Sequence, residues 1–411
     1  MKTLTGENKM SGIHFHLFAA SLIAVASFTQ AQEMLIKPED IHRAAVAPAV
    51  VELAWSAKQN AVFVSSPDWK DEKKSTVLRL NPQTLETQAT ISTDVKGFGV
   101  ALDDENNRLY LTEGFNGSVG IVDTATNRSL GSIKLQEKVN IESAWRKAGM
   151  TGEHLDFMLS ELKRFKISEG YLYKFREARF DARTGRLFLP GLGYGVDSVL
   201  YVVNTRTGKL EKTLPGFGFY AVGIAIDEKG RRVFVSNMQG QLFSVNADTL
   251  EITSKHEIQA DQLLNLVYDR KNDRILGVDQ GIDRDKYRNY HLKETYTRRS
   301  SGHRLFALNA QDGKLLASIE TKDVPISLLL DEDSERIYVT NRGGIRVEKG
   351  VGSLSVFESK TLAHLQTLPL LPHPNSLALD SKAHALFVTV KNDGAAAKAN
   401  NNESVVRIPL H

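Results

Sequence analysis

The densest chemistry in this sequence is a stretch where cations and tyrosines alternate. From Asp283 to Arg304, seven Lys or Arg stand against three carboxylates, with Tyr287, Tyr290 and Tyr296 interleaved. Cationic side chains follow a phosphate backbone while aromatic faces stack bases. Arg284, Lys286, Tyr287, Arg288, Tyr290, Tyr296, Arg298 and Arg299 therefore suit a single-stranded nucleic acid. They equally suit another flat anionic ligand or a protein partner, since Tyr and Arg concentrate at binding hot spots. The alternative is a solvated charged loop.

A second set is scattered along the chain but equivalent within a repeat. Glu52, Glu177 and Asn265 occupy one repeat position, and Arg179 stands two residues after Glu177 where other repeats carry a small or apolar residue. A buried Arg needs a counter-charge, which Glu177 or Glu52 could supply. This reads either as a structural ion pair plugging a channel or as a polar pocket at the channel mouth, joined by Arg342, Arg346, His373 and Asn375. No nucleophile elbow is present, and the eleven His form no i, i+4 pair, so no catalytic residue, metal site or cofactor is expected.

The elements that must position these residues are set by a repeat. An acidic residue, a short turn and an apolar-aromatic pair recur: Asp103 with Leu109-Tyr110, Asp181 with Leu187-Phe188, Asp227 with Val233-Phe234, Asp331 with Ile337-Tyr338, Asp380 with Leu386-Phe387. Ser56 with Val62-Phe63 and Asp269 with Ile275-Leu276 are degenerate copies. Between them lie Asx-type turns at Asn81, Asp123, Asn204, Asn246 and Asn309, with Glu358 at the equivalent place. Four short β-prone runs per repeat predict an all-β fold, a seven-bladed β-propeller of four-stranded antiparallel blades. The last repeat lacks a fourth strand, so residues before Val51 are expected to supply it and close the ring.

The tight turns barely vary in length; all extra residues fall after second or fourth strands, which end on one face of the disc. Two insertions stand out, 136–173 between blades two and three and the loop 280–303 in blade five. Leu155, Met158, Leu159, Leu162 and Phe165 give 136–173 a helical stripe with Thr151 as a possible N-cap, making it the one helix expected, either a lid or a cover for apolar surface. Function is expected on this loop-rich face, because rigid scaffolds carry binding residues on their loops.

Composition is that of a soluble globular chain, 41% apolar and 25% charged, and a net charge of +3 implies no partner by itself. Residues 1–31 read as a signal peptide, with Lys2 and Lys9 ahead of an apolar run too short to span a bilayer; Met10 is an alternative start. Residues 32–411 are then one propeller domain. With no Cys and no other apolar segment of spanning length, the expectation is a periplasmic, monomeric protein held together by packing.

Tyr338-Val339-Thr340-Asn341 matches the signature of YVTN-repeat propellers, with variants at Phe234-Val235-Ser236-Asn237, Phe387-Val388-Thr389 and Tyr110-Leu111-Thr112. The stretch from His373 to Leu379, then Leu386 to Lys391, and the closing Val405-Val406-Arg407-Ile408 resemble the YncE family of periplasmic seven-bladed propellers. The resemblance covers essentially the whole chain after the signal and departs at 136–173 and 280–303. It implies a binding or scaffold protein, with single-stranded DNA binding and a link to iron-responsive outer-membrane transport. The alternative is a metal-dependent lactonase-like or other propeller hydrolase in which Glu52, Glu177 and Asn265 hold an ion, although Arg179 beside them would repel a cation.

Overall fold

The computed structural model describes residues 35–114, 116–344 and 347–410; the signal-like segment lies outside them. Blade one runs Leu53–Ser56, Ala61–Ser66, Thr76–Leu80 and Thr87–Ser92, paired in chain order and antiparallel. Blades two, three, four, five and six occupy 97–134, 173–214, 223–257, 263–320 and 325–369, with the same order. Blade seven takes His373–Asp380, Ala385–Lys391 and Glu403–Pro409 from the end of the chain, and its outer strand is His42–Ala47. That strand pairs antiparallel with Glu403–Pro409, His42 opposite Arg407 and Ala44 opposite Val405, so the expected N-terminal closure is present.

The acidic landmark ends each inner strand and folds the turn that follows it. Asp103 accepts a bond from the Asn106 N–H (3.1 Å), Asp227 from Gly230 (2.8 Å) and Asp380 from Lys382 and Ala383 (both 3.1 Å); Ser56 does the same for Gln59 (3.0 Å). The second turn works the same way: Asn246 Oδ1 accepts from the Asp248 and Thr249 amides at 2.9 Å, and Glu358 reaches the Thr361 amide at 2.6 Å. Short carboxylate and amide side chains satisfy amides that the reversing backbone leaves unpaired.

The core is a set of layers between neighbouring blades. Blades seven and one share Val62, Val64, Leu78, Leu80, Phe387 and Val405, with Trp55 stacked on Phe387 at 5.8 Å. Equivalent clusters fill the other six junctions. The Thr or Ser of the repeat motif staples one blade to the next. Thr340 Oγ1 donates to Asn375 O (2.8 Å), Ser236 Oγ to Leu263 O (2.7 Å), Thr389 Oγ1 to Val51 O (2.8 Å) and Thr112 Oγ1 to Arg176 O (2.7 Å). Blade five has Val278 near that point and no hydroxyl; there Asn265 Nδ2 donates to Ile326 O (2.6 Å). Each bond contributes about 1 kcal/mol net, and together they fix the blades' relative rotation.

Two features depart from the repeat as read. The inner strand of blade three is broken into Tyr173–Phe175 and Arg179–Asp181, so residues 176–178 leave the ladder. Gly99 makes room for this: a Cβ there would sit 1.8 Å from Arg176 O. Nor is 136–173 the only helical segment. It holds two helices, α1 (Ile141–Lys147) and α2 (Gly152–Phe165), on a short hairpin of Val139–Asn140 with Glu169–Gly170. The 280–303 loop contains α3 (Asp285–Leu292), and α4 (Gly394–Lys398) lies in blade seven.

Candidate functional site

Both insertions leave the face that strand parity assigns them, and there they meet. α1 and α2 form their own core from Ile141, Trp145, Met150, Leu155, Met158 and Leu162, seated on blade three. Trp145 Nε1 donates to Tyr194 O (2.7 Å), and Gly195 has to be glycine: its φ is +73°, and a Cβ would lie 2.5 Å from Trp145 Nε1. Thr151 occupies the N-cap position of α2 but makes no side-chain capping bond, and Phe165 is 57% exposed, outside the buried stripe. Asn140, which the sequence reading passed over, caps α1 by accepting from the Ser143 amide (2.9 Å).

α3 presents its aromatic residues to α2. Phe157 packs edge-on to Tyr287 and stacks on Tyr290, both at 5.0 Å, and His154 stacks on Tyr290 at 5.6 Å. Tyr287 Oη donates to Glu161 (2.5 Å); burial and that carboxylate raise the phenol to about 12. Lys286 Nζ lies over the Phe157 ring at 4.4 Å. The remaining loop residues also have partners. Arg288, fully buried, lies over Tyr296 at 4.3 Å, and Tyr296 Oη donates to Asp261 (2.7 Å). Arg298 pairs with Asp283 and Asp285, and Arg299 bonds the carbonyls of Gly240 and Ile258 and pairs with Glu257. The three tyrosine rings are thus engaged within the protein.

Arg284 differs. It stands at the start of α3 on the loop-rich face, where burial lowers its basicity and the charges of Arg176 and Arg288 add to that. Its Nε is buried with no hydrogen-bond partner among the described residues. Arg176 of blade three also acts on Lys391 of blade seven, as does Arg342 of blade six. Blades three and seven are not neighbours in the ring, so Arg176 and Lys391 influence each other across the central channel, whereas Arg342 and Lys391 belong to adjacent blades. Arg176 lies in the break of blade three's first strand, Lys391 ends a second strand, and Arg284 and Arg342 follow second strands, so all four are towards the loop-rich face. Lys391 Nζ bonds Val50 O and pairs with Glu403 at 3.4 Å; burial lowers its basicity, partly offset by Glu403.

Beneath these cations lie two carboxyl groups. Glu52 accepts from the Val100 amide (3.1 Å) and lines the channel together with Glu177. Burial first, then the Glu177 charge, holds the Glu52 carboxyl well above its usual range. Glu177 is flanked at 3.7 Å by both Arg176 and Arg179. The channel here encloses about 300 Å³, lined by Glu52, Glu177, Arg179, Asn265, Ser327 and Ser376 among others. Asn265 and Asn375 spend their amide donors on neighbouring blades, Asn375 Nδ2 donating to Val51 O (3.0 Å). His373 is buried and its Nδ1–H donates to Arg342 O (2.6 Å), holding the backbone that carries Arg342. Arg346 lies outside the described residues.

The sequence reading found Arg284 and Arg342 but missed Arg176 and Lys391. Arg176 adjoins Glu177 in a strand whose break no pattern announces, and Lys391 looks like an ordinary strand-end lysine. Among the described residues no cluster of His, Asp and Glu is arranged to hold a metal ion, and no helix is long and apolar enough to cross a membrane.

No family model matches the chain. It is similar over 400 residues, at 25% identity and 96% of both chains, to the uncharacterized protein YncE of Salmonella typhimurium. The YncE protein of Escherichia coli K12 is 25% identical over 404 residues, again 96% of each. Among solved structures, the RRP9 WD40 repeats superpose with a TM-score of 0.62 at 10% identity, covering 92% of this chain and 99% of that one, a likeness of fold alone. The resemblance read from the repeat motifs thus stands: the chain is a seven-bladed propeller similar to YncE over 96% of its length.

Proposed function

We propose that this YncE-like propeller is a periplasmic binding protein that captures an anionic ligand at the loop-face mouth of its channel. The observation that carries the reading is the placement of Arg176, Arg284, Arg342 and Lys391 at the loop-face ends of four blades, with Arg176 3.7 Å from Glu177, which lines the channel. Half-buried guanidinium groups in a low-dielectric recess bind phosphate or carboxylate far more strongly than exposed ones. Burial that favours the neutral form of Glu52 supports this by lessening the negative charge beside Arg176. A metal-dependent hydrolase at the same place is disfavoured because Arg176 and Arg179 flank Glu177 and would oppose a divalent ion.

Single-stranded DNA is the polymeric version of the same reading, favoured by exposed Lys286 beyond the mouth. Because Tyr287, Tyr290 and Tyr296 are engaged internally, such binding would rest on phosphates and be steep in salt rather than rest on base stacking. An envelope protein, including a component of outer-membrane transport, would meet the same face.

The test is fluorescence anisotropy with a labelled twelve-residue oligothymidylate, alongside calorimetry with inorganic pyrophosphate. The double variant Arg176→Ala, Arg284→Ala should weaken pyrophosphate at least about tenfold. Should the oligonucleotide bind, it should also reduce that ligand's log–log salt slope by about 1.4, at about 0.7 per phosphate contact. Affinity for both ligands unchanged in the double variant, or no binding of either at low salt, overturns the proposal.

A further inference from the structure

A cleft of about 550 Å³ opens on the loop-rich face away from the channel, and it exists only because the two insertions meet beside blade three. The first insertion supplies Met150, His154 and Leu172, blade three supplies Tyr173, Val196 and Asp197, and the end of α3 supplies His291 and Lys293. The volume lies within the range of small-molecule sites, and a mostly apolar wall with a few convergent polar groups is their usual make-up.

We infer that this cleft binds a small amphipathic carboxylate, its head group between His154 and Lys293 and its apolar body along Met150, Leu172 and Val196. The charge inventory points this way. Three groups able to carry positive charge, His154, His291 and Lys293, face a single carboxylate, Asp197, which His291 Nε2 already occupies at 2.8 Å. That bond fixes the His291 ring and leaves His154 and Lys293 without an anionic partner in the cleft among the described residues. His154 is held from behind, its ring parallel to Tyr290 within 9°. Burial lowers its basicity, and the charges of His291 and Lys293 lower it further. A bound carboxylate would supply the missing counter-charge. Tyr173, whose phenol is raised first by burial and then by Asp197, is the remaining titratable group on the wall.

The site shares no residue with the channel mouth, so the two proposals can fail separately. Calorimetric titration of the whole protein with phenylacetate and with octanoate should give saturable binding of at least one. The neutral 2-phenylethanol should not bind at comparable concentration. Lys293→Glu changes an exposed side chain and leaves the fold intact; with it, as with His154→Ala, the affinity should fall at least about tenfold. Arg284→Ala should leave it unchanged. Absence of saturable binding by either carboxylate, equal binding of 2-phenylethanol, or undiminished affinity in Lys293→Glu overturns the inference.

Discussion

Closure of the ring by the N-terminal segment can be tested at one side chain, Ile36. It is 1% exposed and packs with Tyr338, Leu368, Leu370 and Ile408 where blades six and seven meet. Ile→Ala at a buried site costs about 2–5 kcal/mol, depending on how far the surroundings collapse. Here the backbone is pinned, since the Ile36 N–H donates to Gln366 Oε1 (3.0 Å) and its carbonyl accepts from Gln366 Nε2 (2.7 Å). The partly buried Leu35 and Leu410 can lean into the space. We expect a loss of about 3 kcal/mol. For a folded unit of roughly 380 residues, the unfolding entropy of about 0.8 kcal/mol per kelvin turns this into a drop of about 4 °C in Tm. Scanning calorimetry is the assay. Leu130→Ala, on an outer strand and 50% exposed, is the control and should move Tm by less than about 1 °C. Removal of residues 35–47 should do more, exposing the Glu403–Pro409 edge and promoting aggregation. An Ile36→Ala protein that melts with the wild type would show that the segment does not hold the ring closed.

Two further outcomes follow from the loop-rich face. The folded Glu52 carboxyl is raised above its usual value of 4.5, so the folded state retains a proton that the unfolded chain has released. Stability should therefore decline as pH rises from about 4.5 towards the folded value, and Glu52→Gln should flatten that decline and raise Tm at neutral pH; parallel Tm–pH curves for the two proteins would refute the raised Glu52 carboxyl. Phe157→Ala removes two aromatic pairs, each worth about 0.5–1.5 kcal/mol, so amides of α3 should exchange roughly tenfold faster while those of blade one do not change. Unaltered exchange in 285–292 would mean that α2 does not hold α3.

Much of the scaffold can be read in the sequence because turn chemistry is local. Asp103, Asp227 and Asp380 announce their turns by bonding amides two or three residues away, and the strands between follow from alternation. The missing outer strand of blade seven was also legible, as a deficit at one end matched by a surplus at the other. α3 was not, because Asp285–Leu292 has almost no apolar stripe of its own; its helix is secured by Phe157 and Glu161, over a hundred residues earlier in the chain. For the same reason the alternation of Tyr and Arg suggested free stacking surfaces where the structure has internal contacts. The mouth was half legible. Arg342 and Arg284 stand in obvious loops, whereas Arg176 acquires its position from a broken strand that depends on the missing side chain of Gly99 in the neighbouring blade.

The outer strand of blade seven also sets the order in which the molecule can form. Val50 N–H is bonded to Glu403 Oε2 across 353 residues of chain, and the strand just before it pairs with the last strand of the ring. Closing so long a loop adds little free-energy cost per added residue, but such a contact is made late, after the local hairpins. Six blades can assemble from neighbouring segments as they appear, while the seventh waits for the two ends of the ring to find each other. Until then His42–Ala47 and Glu403–Pro409 are both open edges, and the half-made ring is at its most prone to pair with another chain.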